Sequence, residues 1–209
     1  SHWVRPDDPR VAIVPLGSDP ERFWPTDEGE DPPAGPLRIL FAGLLRHYKG
    51  VDVLLQALTR IERPVTLTVA GAGPESSRLQ TLCQRLRLND RVTFLGRVAD
   101  MDLAALYRAH DLFVLPAVSP AEAFGQVLVE AMLSGLPCIT TELGTGTSFV
   151  VQEAVTGSVV APRSPEALAA AIDSLAKDPA LRRRLGQAGR ARALEHFTTA
   201  RMLADVSAL

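Results

Sequence analysis

The sequence predicts an α/β fold, a doubly wound, Rossmann-like parallel sheet of about six strands. Three observations predict it. From residue 37 onward, short apolar runs alternate with amphipathic segments, the pattern of strand–helix crossovers. Most of those runs are apolar throughout rather than alternating, as required when helices cover both faces of a strand. The 209 residues, 46% of them hydrophobic, supply a full core. At about 150 residues per domain they make one domain and a remainder.

The remainder comes first. Residues 1–36 are rich in Pro, Asp and Glu and contain one apolar run, Val11-Ala12-Ile13-Val14. This reads as an extended arm tied down by a short strand-like segment. Strands are then expected at residues 38–42, 65–70, 92–95, 111–115, 137–140 and 158–160. Between them, Val51, Leu54, Leu58 and Ile61 form one helical stripe, and Leu79, Leu82, Cys83 and Leu86 form another. Asn89-Asp90 ends the second helix, and Asp100 or Asp102 opens the third as an N-cap. A helix spans residues 125–134, another 165–176, and an Arg-rich helical stretch runs to the end.

Composition excludes several classes. The formal net charge of −2 provides no basic field for nucleic acid or an anionic membrane. No apolar run approaches the roughly 18 residues of a membrane span, and no signal peptide is expected from Ser1-His2-Trp3-Val4. Cys83 and Cys138 lack CxxC spacing and read as buried thiols of a reducing compartment. Of the 22 basic residues only Lys49 and Lys177 are lysine. Where arginine has been preferred so broadly, both lysines are positions to weigh.

Doubly wound sheets bind ligands beyond the carboxyl ends of the strands, where the strand order reverses. In the order 3-2-1-4-5-6 that point lies between strands one and four. The loop after strand one is residues 43–50, GLLRHYKG, and contains Lys49. The loop after strand four is residues 116–125, PAVSPAEAFG, and contains Glu122. The helix that follows carries Glu130. Glu122 and Glu130 are eight residues apart, about 12 Å if measured along a helix axis, too far to share a proton. They would grip two parts of one long ligand. Between them the helix N-terminal amides near residues 125–128 suit an anion, and Lys49 faces it from the other loop. A carboxylate, a cationic anion hole and a second carboxylate would suit a sugar, a diphosphate and a ribose.

Residues 122–130, EAFGQVLVE, resemble the E-x7-E motif of the retaining glycosyltransferases of the GT-B fold, family 4. The resemblance continues through residues 43–50, AGAGP (70–74), RVTFLG (91–96), AHDLFVLP (109–116), EAMLSGLP (130–137), Thr156-Gly157 and Phe197. It covers about residues 11–197. It implies the C-terminal half of a GT-B fold: residues 1–36 as an interdomain connection and N-terminal arm, with PLGSDPERF (15–23) the connection itself, and residues 37–209 as a nucleotide-sugar donor-binding domain. The acceptor-binding N-terminal half would lie outside this chain, so the isolated domain is expected to be inactive.

The resemblance also implies roles. Glu122 would contact the donor sugar and Glu130 the ribose hydroxyls. The backbone of Phe124, Gly125, Gln126 and Val127 would cradle sugar and phosphate. Lys49, beside Gly43, would neutralise the diphosphate, and Arg97 and Val98 would lie along the base. Lys49 and Glu122 are the expected catalytic residues. Two positions depart from the family pattern. Leu44 stands where an arginine commonly meets the diphosphate, leaving Arg46 to supply that charge. Residues 144–147, GTGT, replace a Gly-Gly loop followed by Pro-Glu, with Thr145 and Gly146 still placed to face the donor.

The implied reaction transfers a sugar from a UDP-, GDP- or ADP-linked donor to a glycan, lipid or small-molecule acceptor. It retains anomeric configuration and needs neither metal nor cofactor. The expected location is cytoplasmic, with peripheral association at the inner face of a membrane left open. Alternatives of other classes are a non-catalytic nucleotide-binding or assembly module on the same fold, and an epimerase. Other motifs carry less. Asp100-Met-Asp102 is a DxD that opens a helix, and Gly71-Ala-Gly73 lacks a third glycine. His2, His47, His110 and His196 have no metal-ligand spacing. Arg182, Arg183, Arg184, Arg190 and Arg192 read as a solvated helix face, and Lys177 as a helix C-terminal charge.

Overall fold

The computed structural model of the chain describes residues 11–25 and 35–209. The rest of the expected arm, residues 1–10 and 26–34, lies outside the described residues. Six strands form one wholly parallel sheet: β1 (Leu37–Ala42), β2 (Val65–Ala70), β3 (Val92–Gly96), β4 (Leu112–Val114), β5 (Cys138–Thr141) and β6 (Gly157–Val160). Their order is β3-β2-β1-β4-β5-β6, so the sheet reverses between β1 and β4 as expected. The central strands are apolar and buried, with Ile39, Leu40, Phe41, Leu112, Phe113 and Val114 fully inaccessible. β1 and β2 pair from Leu37↔Val65 to Ala42↔Ala70, which brings their carboxyl ends level.

Helices α1 (Val51–Leu58), α2 (Ser76–Arg85), α3 (Asp100–Arg108), α4 (Gln126–Leu133), α5 (Gly146–Val150), α6 (Pro165–Lys177), α7 (Pro179–His196) and α8 (Thr199–Ser207) complete the fold. α1 packs beside α2 and α6; α4 packs beside α5 and α7. This division over two faces follows from right-handed crossovers on a sheet whose order reverses.

Several local expectations need correction. The run Val11–Val14 forms no strand, and Ile13 is 72% exposed. The arm is tied instead at Ser18, whose N–H donates to the Phe197 carbonyl at 2.9 Å and whose carbonyl accepts from Thr199 at 3.1 Å. Phe23 then plugs the core at 3% exposure. α2 stops at Arg85, before Asn89-Asp90, because Arg87 takes a left-handed conformation at φ 57°. The N-cap of α3 is Ala99, and Asp100 and Asp102 sit in its first turn without capping it. α5 is a short helix that no apolar stripe announced. The C-terminal stretch divides at Phe197, because Thr198 caps a new helix by accepting from the Arg201 N–H at 3.1 Å.

The arginines of α7 are not simply a solvated face. Arg182 donates to the Leu175 carbonyl at 2.5 Å, Arg190 to that of Leu133, and Arg192 to that of Phe149 at 2.8 Å. Those carbonyls belong to the last turns of α6, α4 and α5, which leave acceptors unsatisfied. One helix thus caps three others, a task suited to a planar, multi-donor guanidinium. Arg183 and Arg184 stay exposed.

Candidate functional site

The two loops at the reversal point are joined through their backbones. The Val118 N–H donates to the Tyr48 carbonyl at 2.8 Å. Gly50 turns at φ 69°, and a Cβ there would lie 2.0 Å from the Pro116 oxygen. Only glycine permits this contact. Just before it, a single 3-10 turn, His47–Lys49, holds Lys49 at 9% exposure. Its Nζ meets Oε2 of Glu122 at 2.5 Å, and Glu122 is itself 7% exposed. Gly43 stands alongside, where a Cβ would be 3.9 Å from the lysine Nζ.

Glu122 does not lie on a helix. It closes a turn by donating its N–H to the Ser119 carbonyl at 3.1 Å. α4 begins four residues later, after Gly125 bends the chain at φ 80°. The helical measure of 12 Å between Glu122 and Glu130 therefore does not apply. The bend re-aims the chain, so that loop and helix present separate carboxylates. Residues 145–146 are pressed onto this loop. Thr145 Oγ1 donates to the Glu122 carbonyl at 2.8 Å, and the Gly146 N–H donates to that of Ala123 at 2.8 Å. Phe124 is half-buried, edge-on to the buried Phe197 at 6.0 Å.

The Gln126 side chain is turned to the arm, with Nε2 3.4 Å from both the Gly17 carbonyl and Ser18 Oγ. Only its backbone is left for the first turn of α4. Val127 is half-buried. One turn further, Glu130 accepts a hydrogen bond from the Tyr107 hydroxyl at 2.9 Å. Burial raises the Glu130 carboxyl above its ordinary range, while Tyr107 and Arg22 act against that rise. The Tyr107 phenol is raised well above its usual value by burial and then by the Glu130 charge. It stays a donor.

At the other side of β1 the carboxyl ends of three strands are joined through bare backbone. A Cβ at Gly71 would lie 1.9 Å from the Gly43 oxygen, and the Gly71 N–H donates to the Gly96 carbonyl at 2.8 Å. Arg97 and Val98 follow there, the first exposed and the second half-buried. Arg46 and Arg97 are exposed and, among the described residues, in no ion pair. Leu44 is 50% exposed. The structure thus brings Gly43, Lys49, Glu122, Phe124, Gly125, Thr145 and Gly146 together, with Gln126, Val127 and Glu130 along α4. Arg46, Arg97 and Val98 stand at its margin.

Sequence reasoning missed Tyr107, Arg22 and the packing of Phe23 on the ring of Tyr107, edge-on at 5.7 Å. A signal existed for the first. Tyr107 lies on the buried side of α3 with Ala104, and a buried tyrosine hydroxyl needs a partner. His110 is structural, its ring nitrogens 2.6 Å from the Leu106 carbonyl and 2.8 Å from Thr68 Oγ1. Cys83 and Cys138 are free and buried. Among the described residues no three His, Cys, Asp or Glu side chains gather to hold a metal, and no helix is long and apolar enough to cross a membrane. A groove of about 550 Å³ lies by the ends of α1 and α6, away from these loops. Most of its charges pair with one another, Arg60 with Glu166 and both Arg63 and Lys177 with Asp173.

A profile of the family described as glycosyl transferases group 1 matches residues 23–192. The D-rhamnosyltransferase WbpZ of Pseudomonas aeruginosa is 39% identical over 164 residues, covering 78% of this chain and 42% of that protein. Sucrose-phosphate synthase from Thermosynechococcus elongatus superposes with a TM-score of 0.85 at 31% identity, over 94% of this chain and 51% of that one. Anabaena HepE in complex with UDP-glucose superposes with a TM-score of 0.80 at 26% identity, over 92% and 56%. The chain thus spans less than half of WbpZ and about half of the two solved chains.

Proposed function

The chain belongs to the glycosyl transferases group 1 family, and from that premise we propose that it binds a nucleoside-diphosphate sugar and supplies the donor half of a retaining sugar transfer. The observation that carries this reading is the buried Lys49–Glu122 pair at the sheet's reversal point, with Glu130 further along on α4. The likeness to HepE, solved with UDP-glucose, supports it. The acceptor is held by residues outside these 209, in keeping with relatives of twice the length.

Transfer develops negative charge on the leaving diphosphate and positive charge on the sugar ring. Lys49 and Arg46 receive the diphosphate, together with the first-turn amides of α4, whose dipole favours an anion. Each preorganised donor of this kind contributes roughly 3–4 kcal/mol to the transition state. Glu122 accepts from sugar hydroxyls and faces the ring as it becomes positive. Glu130 accepts from the ribose. In the unliganded chain Lys49 and Glu122 neutralise each other, so neither is left buried and uncompensated. Donor entry exchanges that partner for a diphosphate on one side and hydroxyls on the other. The fixed cations and amides perform the neutralisation for which a metal would otherwise be recruited.

A calorimetric screen against UDP-, GDP- and ADP-sugars tests donor binding, and the anomeric configuration of the product made by the longer protein tests retention. Leu44 favours a second reading, a nucleotide-binding or assembly module without transfer. It places an exposed apolar side chain where the family commonly has an arginine. Binding of a nucleotide-sugar with no transfer by the longer protein would select it.

A further inference from the structure

We infer that Tyr107 is a positioning residue for donor recognition: its buried hydroxyl fixes the Glu130 carboxylate, and the arm residue Phe23 packs edge-on against its ring. This rests on the donor reading above and deepens it.

The geometry is a cluster of three aromatic rings. Phe23, from the arm, meets the Tyr107 ring edge-on at 5.7 Å, and Phe113 of β4 lies against the same ring at 5.5 Å. In contact with two aromatic rings and fully inaccessible, the Tyr107 side chain is closely packed. Its hydroxyl reaches Oε2 of Glu130 at 2.9 Å, with the Val127 carbonyl a second acceptor at 3.3 Å. A carboxylate has two oxygens. With Oε2 held by Tyr107, rotation of the carboxylate is restricted and Oε1 is left to accept from a ligand, an arrangement that favours a positioned hydroxyl over charge alone.

The charged and titratable groups facing Glu130 come from two other elements. α3 contributes Tyr107 and Asp100, and the arm contributes Arg22, which also donates to the Asp100 carbonyl. The arm therefore reaches Glu130 twice, through Phe23 behind Tyr107 and through the Arg22 charge. The setting of the Glu130 carboxylate thus depends partly on the arm, through Arg22 and Phe23.

Tyr107→Phe tests the inference, because it removes one oxygen and keeps the ring contacts. Two measurements are needed: titration with a nucleoside diphosphate and with its 2′,3′-dideoxy form, and a pH titration of the Glu130 carboxyl carbon by NMR in the unliganded chain. A hydrogen bond to a charged group is worth about a factor of ten or more. The variant should bind the nucleoside diphosphate about tenfold more weakly, bind the dideoxy form as wild type does, and titrate Glu130 at higher pH. In a Glu130→Ala background the same change should have no effect on affinity. Equal losses for both ligands, or an unmoved Glu130 midpoint in a folded variant, would overturn it. If wild type binds no nucleoside diphosphate, the donor reading fails. The Glu130 titration then decides alone whether Tyr107 governs that carboxylate, an upward shift supporting it and an unmoved midpoint refuting it.

Discussion

Lys49 Nζ lies 2.5 Å from Oε2 of Glu122, and the two residues come from loops that the sheet topology alone brings face to face. Seventy-three residues apart in sequence, both are more than nine-tenths buried. Removing one partner strands the other charge, at a cost of about 3–5 kcal/mol, whereas removing both costs less. Lys49→Met should therefore lower the thermal midpoint by on the order of 10 °C. Lys49→Met with Glu122→Gln should recover much of that loss, measured by calorimetry at one pH.

Glu130 behaves in the opposite sense. Burial raises its carboxyl in the folded state, so the folded chain binds that proton more tightly than the unfolded chain does. Ionised Glu130 then subtracts stability at neutral pH, and the deficit disappears as pH falls from its raised folded value toward the ordinary carboxylate range. Glu130→Gln keeps the acceptor for Tyr107 and removes the charge. It should unfold at an equal or higher temperature at pH 7 while binding nucleotide more weakly. The stability difference from wild type should vanish below about pH 4. A variant several degrees less stable at pH 7 would contradict this.

Gly50 and Gly144 form a controlled pair. Both have positive φ, 69° and 64°, yet a Cβ at Gly50 strikes the Pro116 carbonyl while one at Gly144 meets nothing within 4 Å. Gly144→Ala should show the left-handed penalty alone, about 1–2 kcal/mol. Gly50→Ala should cost at least about 1–3 kcal/mol more by forcing the loops apart. Denaturant titrations measure both, and only Gly50→Ala should also abolish nucleotide binding.

Arg190 closes the last turn of α4 through the Leu133 carbonyl. Arg190→Ala should destabilise the chain by roughly 1.5–3 kcal/mol, the range for a hydrogen bond from a charged group. Arg190→Lys should recover only part of it, because an ammonium lacks the planar fork.

The strand order and the two facing loops, with Lys49 on one and Glu122 on the other, were legible in the sequence. They follow from run length, apolar pattern and the geometry of a reversing parallel sheet. What escaped depended on long-range packing. The αL bend at Gly125, which takes Glu122 off the helix, gives no periodic signal. The docking of Phe23 on Tyr107 joins residues 84 positions apart through a segment whose only apolar run, Val11–Val14, pointed to a strand that does not form. The α7 arginines read as solvent-facing because side chains that cap distant carbonyls leave no local pattern. Asp100 and Asp102 were near enough to the helix start to suggest a cap, but the extended backbone sits at Ala99.

The most direct measurement is calorimetric titration of the chain, and of its Lys49→Ala and Glu130→Ala variants, with UDP-, GDP- and ADP-sugars. The proposed donor site requires that wild type bind at least one of them and that each folded variant bind it at least tenfold more weakly. No binding by wild type, or wild-type affinity in both variants, would contradict it.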